Sequence, residues 1–90
     1  MTYRITEKML ETRVAHLNKI TNSPAEYRGA DSVIAIGHFH LSHAYGGVCL
    51  HKVCNTSGGV SDVLSMGHVT KREAFDRICA FTNGIEYSNQ

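Results

Sequence analysis

The stretch from Gly37 to Asn55, GHFHLSHAYGGVCLHKVCN, limits the fold more than any other part of the chain, because it reads as a β-hairpin with two chemically different faces. Taking Ala44-Tyr45-Gly46-Gly47 as the connection puts glycines where a tight turn needs φ > 0. His43 then pairs with Val48, Leu41 with Leu50 and His40 with His51. Side chains alternate between faces along a strand. Phe39, Leu41, Val48 and Leu50 therefore share one side, and His38, His40, Ser42, Cys49 and His51 share the other. One face suits a core; the other is a histidine-rich surface.

The remaining segments supply what would cover the apolar face. From about 6 to 20, Leu10, Val14, Leu17 and Thr21 recur at helical spacing, flanked by Met9 and Ile20, with Glu7, Lys8, Glu11 and Lys19 elsewhere. Asn22-Ser23-Pro24 ends this amphipathic helix, since the residue before proline is driven out of the helical region. Ala25 to Asp31 is polar and aperiodic, and reads as a loop. The first strand is expected over 32–42, with Ile34 and Ile36 on the histidine side unless Gly37 forms a bulge and shifts the register. The second strand is expected over 48–55. Thr56-Ser57-Gly58-Gly59 then makes a turn into a third strand over 60–66. Thr70-Lys71-Arg72-Glu73 has the form of a capping box opening a second helix over 71–82, with Ala74, Ile78 and Phe81 on one stripe and Phe75 beside it. Asn83-Gly84 reads as its αL stop, and 85–90 as a polar tail.

This order predicts one small α+β domain over 1–90: helix, three-stranded antiparallel meander, helix, with both helices packed on one face of the sheet. Ninety residues bury only a modest share of their surface and leave little room for an enclosed active site. The formal charge of +1 argues against a nonspecific polyanion binder. Cys49, Cys54 and Cys79 cannot all pair internally and form no C-x-x-C, which fits a reduced, cytosolic setting. The N-terminus has neither a signal-peptide core nor a membrane-length apolar run.

Four functional readings follow, three of them on the histidine side. Ile34, Ile36, His38, His40, His51 and Val53 form an apolar patch rimmed by polar groups, the pattern of a protein interface or homodimer, provided no loop or tail covers it. This is the favoured reading, and it requires no cofactor. His38, His40, Cys49 and His51 are zinc-ligand types within cross-strand reach, with His43 and His68 available nearby, but their spacing fits no established metal motif. Cys49 or Cys54 with His51 is the thiol-enzyme alternative, lacking an orienting third group and an oxyanion site. Lys71 and Arg72 at a helix start oppose the helix dipole, as a site for RNA would; here the chain is loosely similar to the double-stranded RNA-binding domain in its element order.

The run Ala44-Tyr45-Gly46-Gly47-Val48, then Asn55-x-Ser57-Gly58-Gly59-Val60-x-Asp62-Val63, then Gly67-His68-x-Thr70-Lys71-Arg72-Glu73, resembles small accessory proteins of tailed bacteriophages. With the segment Leu17-Asn18-Lys19-Ile20-Thr21-Asn22, the resemblance covers most of the chain. It carries no catalytic residues. It implies a non-enzymatic early or accessory product in the host bacterial cytoplasm that binds and blocks a host macromolecule, such as a component of a CRISPR defence.

Overall fold

Thr6 starts the first helix, α1 (Glu7–Ile20), by accepting the Met9 amide at 3.2 Å on its hydroxyl, which satisfies one of the donors a helix start leaves open. The structure is a computed structural model and describes residues 4–29 and 32–88. Strands β1 (Phe39–Ala44), β2 (Gly47–Val53) and β3 (Val60–Asp62) form one antiparallel sheet in the order β1-β2-β3, and α2 (Lys71–Ser88) follows. The hairpin register is the expected one, with His43 opposite Val48, Leu41 opposite Leu50 and His40 opposite His51. Its connection is the pair Tyr45-Gly46, at φ 54° and 74°, and two successive left-handed residues define the turn that matches strand twist best.

Both helices lie on the face carrying Phe39, Val48 and Leu50. Leu10, Val14 and Leu17 of α1 and Ala74 and Ile78 of α2 complete that core. The helices also touch each other, where the Arg13 guanidinium donates to the buried Thr82 hydroxyl at 2.7 Å. At the sheet's outer edge the side chain of Asn18, 4% exposed, takes the place of a neighbouring strand. Its Oδ1 accepts the Phe39 amide at 2.9 Å and its Nδ2 donates to the Phe39 carbonyl at 3.0 Å.

The first strand ends at Ala44 rather than at 42 and the second spans Gly47–Val53 rather than 48–55, while three larger differences each have a local reason. The first strand enters the sheet at Phe39 rather than at 32. Gly37, at φ 96°, donates to the Val53 carbonyl at 2.9 Å while Val53 donates to the His38 carbonyl at 3.0 Å, so two residues face one in a glycine bulge. Before it, Ala35 donates to the Tyr27 carbonyl, and Arg28 bridges Ile34. Residues 27–29 and 32–35 thus pair with each other outside the sheet. The third strand stops at Asp62 rather than at 66, because the Asp62 carboxylate accepts the Met66 and Gly67 amides at 3.3 and 2.7 Å and folds 62–67 into a turn.

The second helix runs through Asn83-Gly84 to Ser88 instead of ending at 82, and 85–88 is helix rather than polar tail. A mid-helix glycine costs about 1 kcal/mol. Ile85, packed against the core, and Glu86, paired with His16 of α1 at 3.4 Å, hold the last turns down. At the start of this helix Thr70 caps the Glu73 amide at 3.1 Å, but the Glu73 carboxylate turns to Arg77 at 3.2 Å instead of closing the capping box. The expectations for Asp31 and for 89–90 fall outside the described residues. Among the described residues no helix is long and apolar enough to cross a membrane.

Candidate functional site

The sheet face opposite the helices carries a continuous row of aromatic rings. His38 stacks on His40 with centroids 5.7 Å apart, His40 meets His51 edge-on at 5.8 Å, and His51 meets His68 at 6.1 Å. Tyr27 closes one end against His38 and His40 at 6.3 and 5.8 Å, and Tyr45 closes the other against His68 at 5.6 Å. Three local devices place the histidine rings. His40 and His51 are cross-strand partners, the bulge delivers His38, and His68 is anchored by the bridge between Val48 and Val69. His43, by contrast, lies on the helix side and binds Glu7 at 2.9 Å.

Hydrogen bonds set some of the ring chemistry. The Pro24 carbonyl can only accept, so His38 donates from Nδ1 at 2.9 Å. His68 Nε2 contacts the Ser42 hydroxyl at 3.2 Å. His40 Nε2 is buried without a hydrogen-bond partner among the described residues.

This face is not the open surface that alternation alone implies. Val53 is completely buried and His38 is 7% exposed, so neither presents a side chain to a partner in this conformation. Tyr27 and Ile34 lie over this side: the Tyr27 hydroxyl and Ile34 Cδ1 come within 3.2 and 3.6 Å of where a Cβ on Gly58 would stand, in the turn between β2 and β3. Ile34 and the rings of His40 and His51 are half-buried beneath this cover, while Ile36 stands out at 55% exposure. Tyr27 and Val60 are exposed beside it.

The thiol and metal alternatives meet a specific obstacle. Cys49 is 1% exposed, and burial first, then its hydrogen bond to Asp62, pushes its pKa up to about 11. A thiol so strongly protonated is a poor nucleophile. Cys54 is exposed and turned to the Lys52 carbonyl, while the His51 ring faces His40 and His68. Among the described residues no group of three or more His, Cys, Asp or Glu side chains is arranged to hold a metal ion, so His38, His40, Cys49 and His51 share a face without converging on a point.

Asp62 is the acid beneath the row. Burial raises its pKa, but the amides of Gly67 and Met66, with Cys49 and His51, outweigh that and leave it lowered. For His51 burial is the main cause of a pKa below the usual 6.5, reinforced by His40 and His68 and partly opposed by Asp62. The unfolded chain therefore binds the His51 proton first, and stability falls as pH drops below 6.5. Urea unfolding at pH 7.5 and 5.5 should show this loss, and His51→Gln should make it smaller. An unchanged difference in the variant would remove His51 as its source.

At the other proposed contact, Lys71 is exposed and Arg72 half-buried in the first turn of α2. Tyr27 and Asp62 belong to the site although neither stood out in the sequence; only the spacing of Asp62 to Gly67 hinted at a side-chain-closed turn. Compared with known proteins, the chain matches no protein-family model, no curated protein and no solved structure.

Proposed function

We propose that this chain is a non-enzymatic binding protein that docks a host protein on the end of the outer sheet face where Tyr27, Ile36 and Val60 cluster. The observation that carries this reading is their exposure of 39%, 55% and 41%. The bond from Ala35 to Tyr27, the bulge against Val53 and the pairing of Val53 with Val60 bring all three to one end of the sheet. Apolar side chains grouped in this way are the usual core of a protein contact. A buried, protonated Cys49 supports the non-enzymatic part. The bacteriophage resemblance supplies the setting: the host bacterial cytoplasm, with action against a defence system such as CRISPR or as a host-takeover factor.

Tagged protein should retain a stoichiometric host protein from bacterial lysate after nuclease treatment. Ile36→Asp combined with Val60→Asp should abolish that retention while the circular dichroism spectrum stays unchanged. Undiminished retention by the folded double variant would remove this surface from the account. RNA binding through Lys71 and Arg72 is the second reading, favoured by the helix, three-strand, helix order. It calls for salt-sensitive, nuclease-sensitive retention that Lys71→Glu with Arg72→Glu removes.

A further inference from the structure

The free edge of β1 is open over one short stretch. Val48 exchanges backbone bonds with Val69, and the Leu50 carbonyl accepts from Val63, so both residues turn their backbone groups away from β1. In an antiparallel ladder their cross-strand partners His43 and Leu41 must then turn theirs outward, away from β2. Phe39 points the same way but is closed by Asn18. Leu41, half-buried and with its carbonyl 3.4 Å from His40 Nδ1, and exposed His43 remain with backbone groups directed away from β2, a template of the kind that pairs with another strand.

We propose that this edge joins two copies of the chain through antiparallel β1–β1 pairing about a twofold axis at Ser42. That axis places Leu41 of one copy opposite His43 of the other, and the reverse, so the outward amides and carbonyls of both residues are satisfied together. No other centre does this: an axis at Leu41 would set His43 opposite Phe39, whose groups Asn18 already holds.

The side chains agree with the backbone. A groove of about 310 Å³ runs along this edge between α1 and β1, with Glu7, Glu11, Val14, Leu41 and His43 in its walls. Helix α1 runs antiparallel to β1, since Asn18 lies at Phe39 and Glu7 at His43. Glu11, one turn on from Glu7, accordingly lies beside Leu41. Glu7 is paired with its own His43 at 2.9 Å, whereas Glu11 is exposed and has no ionic partner among the described residues. The second copy's His43, arriving opposite Leu41, comes to Glu11. The edge is thus complementary to itself in backbone hydrogen bonding, with the Glu11 carboxylate as an acceptor for the incoming imidazole.

Sedimentation equilibrium from about 10 µM to about 1 mM tests the pairing. The wild type should reach twice the chain mass of 9.9 kDa. The amides of Leu41 and His43 should exchange with solvent more slowly at the high concentration than at the low one. Glu11→Lys, on the exposed side of α1, should raise the dimer dissociation constant about tenfold through the loss of both symmetry-related acceptor contacts to His43. His43→Pro removes an outward donor without touching a β1–β2 bond and should leave a monomer. Ile36→Asp should leave the dimer intact, which separates this edge from the outer-face surface. A monomer throughout the range overturns the proposal. So does a dimer that both Glu11→Lys and His43→Pro leave unchanged, since its contact would lie elsewhere.

Discussion

Asn18→Ala should lower the unfolding free energy by about 2–4 kcal/mol, because it removes two hydrogen bonds and strands a buried donor and acceptor at about 1–3 kcal/mol each. Asn18 is 4% exposed, so the Phe39 amide and carbonyl it serves lie away from solvent. Small domains hold only about 5–15 kcal/mol in total, so the variant would unfold at markedly lower urea. The midpoint should fall with the urea slope unchanged, since the surface exposed on unfolding is nearly the same. Asn18→Leu separates the two contributions of this residue: it fills the space but leaves Phe39 unpaired, and it should lose nearly as much as alanine. A leucine variant as stable as the wild type would make Asn18 a packing residue only.

Asn18 also marks how far the sequence could be read. The stripe Leu10, Val14, Leu17 predicts α1 and the face it buries, and both are found. Asn18 lies on that stripe, four residues after Val14, and a polar side chain on a buried face requires a partner. The sequence states that requirement but not the identity of the partner, which sits twenty-one positions on and depends on how α1 docks. The hairpin register was legible because it follows from a two-residue turn and strict alternation, both local properties. The end of α2 was not, because Asn83-Gly84 is a local stop signal overruled by Ile85 and Glu86 binding elsewhere in the fold.

The same division runs through the candidate site. Opposing His40 to His51 needed only the register, and that pairing stands. The exposure of the face could not be read this way. Residues 27–29 fall in an aperiodic stretch and 32–35 in an expected strand, and whether they lie over the sheet or away from it depends on backbone bonds to Tyr27 and on the left-handed Gly37. Burial of Val53 and His38 is the consequence, and it moves the accessible apolar surface outward to Ile36, Tyr27 and Val60.

The turn glycines provide a second large effect, with an internal control. A Cβ on Gly47 would come within 2.9 Å of the His68 carbonyl carbon and of the Val69 carbonyl oxygen, both backbone atoms that cannot swing aside. Gly47→Ala should therefore push the 68–69 segment off β2 and weaken the bonds between Val48 and Val69, now 2.8 and 3.0 Å. Overpacking costs about 1–3 kcal/mol, and each weakened backbone bond adds up to about 1 kcal/mol, for a total of about 2–4 kcal/mol. Gly46, its neighbour, has nothing near its Cβ position but sits at φ 74°. Gly46→Ala should cost only about 1–2 kcal/mol, the strain of a left-handed alanine, and Gly46→Asn less, because asparagine tolerates that conformation. Urea unfolding of the three variants gives the ranking, and NMR gives the cause: only Gly47→Ala should shift the ring signals of His68 and His51, which meet at 6.1 Å. If Gly46→Ala proves the more damaging, turn conformation rather than the close approach of residues 68–69 fixes this corner of the fold. The row of rings would then be held by β1 and β2 alone.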